Sequence, residues 1–240
     1  MRKQYIGAVI FLVVIVLIVG VVALAIRAAG RTPPTQSAAA ASTTTASKGV
    51  QASFTETVFP FAACTDATFI KSHPQFANPN CGSGGNQDWV NYSTPNIQVP
   101  AHALVTVTIV NYTTPNGLTD PFLEQVQGVE GNAITVNGKR ESVVDQTVVS
   151  HTFVVRGIDS TNANATPYLY VSVPVTEANL SGGFDAAHMP LSPSVTVFQF
   201  RTQGPGHYIW NCEAPCGVGA FGKGGPMSTS GYMSGTLVVS

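Results

Sequence analysis

"ALVTVTIVNY", residues 103–112, decides the fold class. Leu104, Thr106, Thr108 and Val110 fall on one face of an extended chain, and Val105, Val107 and Ile109 on the other. A side-chain period of two, built largely from β-branched residues, belongs to a strand and not to a helix. Outward from this stretch the pattern recurs. Runs rich in Val, Thr, Ile, Phe and Tyr stand at 97–99, 147–155, 167–173, 194–202, 206–211 and 235–239, with Gly, Pro and Asn between them. Beyond residue 31 nothing keeps a helical period over three turns. Short strands at turn-separated intervals predict an all-β sandwich or barrel.

Two connections are long, 113–146 and 159–193. Connections of this length are uncommon in compact domains unless they serve a function or hide an element. "AITVNG", 133–138, is the expected extra strand within the first.

The rest of the chain divides by composition. Residues 6–26 carry no charge over 21 positions, with Arg2 and Lys3 before them and Arg27 and Arg31 after. About 20 apolar residues span a bilayer. No small-residue cleavage site closes the run, so it reads as one N-terminal transmembrane helix, with 1–5 a cytoplasmic stub and the remainder extracytoplasmic. A cleaved signal peptide is the alternative. Residues 27–50 are Pro/Ser/Thr/Ala-rich and read as a tether. Residues 51–96 read as an irregular extension, and 97–240 as the β domain. Cys64 and Cys81 lie within the extension. Outside the cytoplasm their simplest role is a disulfide worth roughly 3 kcal/mol in the chain-entropy description; a metal site with His73 is the lesser alternative. Asn91, Asn111, Asn164 and Asn179 begin glycosylation acceptor patterns.

Composition excludes some functions. Charged residues make up 10% of the chain, against about 25% in ordinary globular proteins, and net charge is −1. With no basic face, nucleic acid is not an expected partner. No Ser-His-Asp order, credible carboxylate pair or His-Glu-x-x-His is present. "GVGAFGKGG", 217–225, lacks the Gly-Lys-Ser/Thr ending of a phosphate loop.

What remains is a set of soft and imidazole donors on successive strands. "SHTFVV" (150–155) brings His151 near the start of one strand. "PGHYIWNCEAPCGVG" (205–219) carries Cys212 and Cys216, four residues apart, off the end of another. "GYMSGTLVV" (231–239) sets Met233 before the last strand. Thiolate and thioether suit Cu(I), and imidazole suits both copper states; two cysteines this close can equally form a disulfide outside the cytoplasm.

In this order the pieces resemble the cupredoxin superfamily, and within it the copper-A domain of cytochrome c oxidase subunit II of the one-helix type. The likeness covers roughly 97–112, 148–156 and 195–239. It implies a cupredoxin-like Greek-key β-sandwich or barrel and copper held by His151, Cys212, Cys216 and Met233, with the Ala214 carbonyl as a weaker ligand. It further implies electron transfer between an outer redox protein and a membrane oxidase complex, with no bond chemistry in the domain itself. The sequence departs from the family at the second histidine, where Ala220 stands, and in the inserted "AFGKGGPMSTSGY" before Met233. His188 and Met227 are the substitutes at hand. His207 is excluded, because five residues of strand place it about 16 Å from Cys212 on the opposite face. Two other readings stay open at this point: a copper-free binding or structural module with a Cys212–Cys216 disulfide, and a Cu(I) carrier.

Overall fold

The alternation in 103–112 sets one central strand of a two-sheet sandwich. The computed structural model describes residues 39–40, 42–46, 49–59, 71, 89–114, 120–157, 168–185, 190–216, 225–227 and 229–240. The expected anchor at 6–26, Cys64, Cys81, Asn164, His188 and Ala220 lie outside these residues. Among the described residues no helix is long and apolar enough to cross a membrane.

The strands, in chain order, are β1 (Ala39–Ala40), β2 (Ser42–Ala46), β3 (Gly49–Phe59), β4 (Asn91–Tyr92), β5 (Asn96–Val99), β6 (Ala103–Asn111), β7 (Ile134–Val136), β8 (Lys139–Glu141), β9 (Val149–Gly157), β10 (Tyr170–Thr176), β11 (Ser194–Arg201), β12 (Gly206–Asn211) and β13 (Ser234–Val239). One sheet runs β1-β5-β13-β12-β9-β10; the other runs β2-β3-β6-β11-β7-β8, with β4 paired to β3. Each sheet mixes directions: β5 lies parallel to β13, and β3 parallel to β6. Connections β5–β6, β8–β9, β10–β11 and β11–β12 each pass from one sheet to the other. The result is a two-sheet β-sandwich, the coarse architecture that the resemblance implies.

Seven of the expected strands are present with ends shifted by at most three residues, and 133–138 supplies β7 as expected. The extension is different. Gly49–Phe59, read as the end of the tether and an irregular piece, is an eleven-residue strand. It pairs with β6 from Val50↔Ala103 to Val58↔Asn111. The sandwich therefore begins well before residue 97. Its inward face is Ala52, Phe54, Glu56 and Val58; a small residue and a carboxylate interrupt the apolar alternation, so the period-two signal is weak.

The core lies between the sheets. On β6 the odd positions Val105, Val107 and Ile109 are fully buried, while the even ones are half-buried. On β12 the inward residues are Tyr208 and Trp210. Trp210 sits opposite Gly235 of β13. A Cβ at Gly235 would lie 2.7 Å from Trp210 Nε1 and 1.8 Å from the Pro95 carbonyl oxygen, so only glycine lets the indole lie flat against β13 there. Phe153 stacks on Trp210 at 5.6 Å, and Tyr92 meets Trp210 edge-on at 5.0 Å.

The acceptor patterns at Asn91 and Asn111 are not surface sites, since both asparagines are buried. Part of the long 113–146 connection covers the edge of β10. Gln127 bridges to Ser172, and Gly128 (φ 71) approaches so closely that a Cβ there would fall 1.8 Å from the Tyr170 carbonyl oxygen.

Candidate metal centre

Strand parity brings the expected donors to one place. On β9 the inward positions are Val149, His151, Phe153 and Val155. On β12 the inward series Tyr208, Trp210 continues past the strand end to Cys212. Asn211 pairs with Ser234, and the Cys212 N–H donates to the Met233 carbonyl at 2.8 Å, so Met233 stands opposite Cys212 on the same face. A bulge opposite His151, where the register shifts between Val175 and Thr176, helps re-aim the start of β9.

The result is a closed cluster. His151, Cys212 and Cys216 present ligand atoms that all lie within 4.8 Å of one another, and all three residues are buried. His151 Nδ1 is 2.8 Å from Cys216 Sγ and 3.9 Å from Cys212 Sγ. The two sulfurs are 2.9 Å apart and no disulfide joins them. The Ala214 carbonyl oxygen lies 3.6 Å from Cys212 Sγ. Met233 is fully buried beside them.

The histidine's orientation follows from its neighbours. Asn111 Nδ2 donates to the Thr176 carbonyl at 2.7 Å, which leaves its Oδ1 to accept from the Thr113 N–H at 3.1 Å and the Thr113 hydroxyl at 2.8 Å. With its proton committed to Asn111, Thr113 Oγ1 accepts from His151 Nε2 at 2.8 Å. The neutral ring is thereby assigned its proton on Nε2, and the Nδ1 lone pair points at the two sulfurs. A ring nitrogen fixed by a partner behind it is the arrangement that metal-binding imidazoles use.

The sulfurs are tuned as well. The Thr152 N–H donates to Cys212 Sγ at 3.4 Å, and the Thr152 hydroxyl accepts from the Glu213 N–H at 2.7 Å. Burial pushes the Cys212 thiol up, but the Cys216 hydrogen bond, the His151 ring when it is protonated and so able to donate from Nδ1, and the Thr152 N–H together hold it well below an ordinary thiol. Thiolate is the form that binds metal.

Two further histidines stand away from this cluster. His207 is exposed on β12, as the parity argument requires. His102, in the β5–β6 turn, lies at the far end, where its N–H meets the Gln203 carbonyl and Ala101 meets Ser240. Met227 is partly buried against the core. His188, Cys64 and Cys81 are outside the described residues. Asn111, Thr113 and Thr152 carry no sequence signal for this site; nothing but their position beside the strand ends marks them for it.

The buried donor set fits copper: one oriented imidazole nitrogen, two sulfurs, of which Cys212 has lowered proton affinity, and an adjacent thioether residue. No protein-family model matches the sequence, and no curated protein matches it. Among solved structures, auracyanin B is similar at 16% identity over 84% of this chain and 96% of its own, with a TM-score of 0.31. Auracyanin from Roseiflexus castenholzii is similar at 18% identity, over 62% of this chain and 87% of that one, with a TM-score of 0.27. Rusticyanin from Thiobacillus ferrooxidans is similar at 12% identity, over 79% and 82%, with a TM-score of 0.30. Superposition this loose adds nothing to the assignment of function, which rests on the cluster itself.

Proposed function

We propose that this chain is a membrane-anchored, extracytoplasmic copper protein that relays single electrons, similar in role to oxidase subunit II, with a site reduced to one copper ion. The observation that carries this reading is the Nδ1 lone pair of His151 aimed at two buried sulfurs. His151, Cys212, Cys216 and Met233 would hold the ion, with the Ala214 carbonyl as a weak fifth donor. Copper in such a donor set alternates between +1 and +2 and so supplies a one-electron step. The protein's part is to exclude water, to favour the Cys212 thiolate through the Thr152 N–H, and to hold the ring rigid through Thr113 and Asn111. One ion suits the donors better than two, because the position of a second histidine is Ala220. Anchorage by 6–26 places the domain beside a membrane oxidase complex that accepts the electron, and an outer redox protein docks near 225–233. Low surface charge makes that docking only weakly dependent on salt.

The test uses the full chain in detergent. Copper per chain, the visible spectrum and the paramagnetic resonance spectrum are measured before and after addition of copper. One copper, an intense thiolate-to-copper band and spin on a single ion support the reading; failure to bind copper contradicts it. Spin shared over two ions means that another residue replaces the missing histidine.

One observation favours a second reading. Sulfurs only 2.9 Å apart are placed to form a disulfide, with two electrons and two protons passing to an exterior oxidant. Thiol counting under denaturing conditions distinguishes it: the disulfide module shows no free Cys212 or Cys216 before reduction. A Cu(I) carrier would bind copper but fail to cycle between oxidation states.

A further inference from the structure

Glu56 is an acid in the middle of an apolar face. It is fully buried between Phe54 and Val58 on β3 and pairs in register with Ile109. Both donors that reach it converge on one oxygen: the Ser93 hydroxyl at 2.9 Å and the Thr94 N–H at 2.9 Å both meet Oε2. Oε1 is buried and has no hydrogen-bond partner among the described residues. The described ion pairs join Lys139 to Glu141, Arg156 to Glu213 and Arg201 to Glu130, and none reaches Glu56. An unpaired carboxylate in such a place is far costlier than the neutral acid.

Among the described residues no positive charge bears on Glu56. From β4, Tyr92 faces this region; burial first, then the charges of Cys212, Cys216 and Glu56, raise its hydroxyl well above the ordinary tyrosine range. The charges that bear on Tyr92 are thus all negative. Burial pushes Glu56 itself up to about 8, against the lowering effect of Ser93 and Thr94.

We propose that Glu56 is an internal proton-binding site whose neutral form lets β4 close against β3, and whose ionisation loosens that closure behind the metal centre. The contact is slight enough to yield. β4 joins β3 through two register pairs, Val58↔Tyr92 and Phe59↔Asn91. Ser93 adds a second stitch, since its N–H donates to the Thr57 carbonyl at 2.9 Å and its hydroxyl accepts from the Thr57 N–H at 2.9 Å. Parting these strands would admit water to Oε1. The movement is felt at the centre because the Tyr92 hydroxyl donates to the Thr152 carbonyl at 3.0 Å, and the Thr152 N–H donates to Cys212. This inference stands whether or not the centre binds copper.

The experiment compares the full chain with its E56Q variant, which keeps the shape of the neutral acid. Folding equilibrium constants are measured by denaturant unfolding from about pH 4 to about pH 9. The account expects equal pH dependence at the acid end. Above it, the ratio of the E56Q constant to the native one rises by up to about tenfold per pH unit until Glu56 ionises. A ratio that stays constant over the whole range overturns the proposal. Should the E56Q chain fail to fold, the native protein decides alone. A protonated carboxyl band in its infrared spectrum must persist above the pH at which exposed carboxylates have ionised; its absence overturns the proposal.

Discussion

Two buried polar groups in this sandwich are finished in opposite ways. At the end of β9 and β12, each nitrogen of His151 has a directed partner, and the Cys212 sulfur is met by Cys216, Thr152 and the Ala214 carbonyl. On β3, Glu56 has two donors on one oxygen and none on the other. The first group gains by losing protons, since lone pairs then converge on one point. The second keeps its proton because nothing nearby answers a negative charge. The difference teaches that burial alone does not mark a metal site. What marks it is a supporting shell that turns every donor inward.

The comparison can be broken most severely at the sulfurs. Cys212→Ser is expected to abolish copper binding, well beyond the roughly 100-fold that loss of an outer partner costs, while the far-ultraviolet spectrum stays native. Copper titration of both proteins checks this. Next in size is Glu56→Gln. The unfolded carboxyl loses its proton above 4.5, whereas the folded one keeps it to about 8. Stability is therefore greatest below the lower value and is lost as pH rises through the higher one. By about pH 8 the variant should exceed the native chain by as much as roughly 4 kcal/mol, read from unfolding midpoints.

Thr113→Val tests the support behind His151. It removes the acceptor of Nε2 while keeping the volume, and copper affinity should fall by about 10- to 100-fold with the thiolate band retained. Glu213→Gln breaks the partly exposed pair with Arg156 at 3.4 Å. Its cost should stay below about 1 kcal/mol in a denaturant titration. The smallest effect belongs to His207→Ala, on the outward face of β12. It should leave copper affinity unchanged, and any loss would show that parity has been misread.

Much of this arrangement is legible in the sequence because strand parity is local. The alternation of 103–112 and of Tyr208, Trp210 and Cys212 needs no knowledge of partners. The grouping of His151, Cys212 and Met233 follows once the strands are known to share a sheet. Residues that act through long-range register are harder. Thr113 reaches His151 only because Asn111 is fixed by Thr176 across the sandwich. β3 escapes notice because Glu56 and Ala52 interrupt its apolar face and a low-complexity tether adjoins it. Its parallel partner β6 starts more than forty residues further on. Nothing in the surrounding residues signals that Glu56 points inward.

The most direct measurement is paramagnetic resonance of the full chain after one equivalent of copper(II) is added, beside the same spectrum for His151→Ala. The account predicts a spin localised on one copper ion with an intense thiolate-to-copper band, both lost in the variant. Identical spectra from the two proteins, or no bound copper in either, would contradict it.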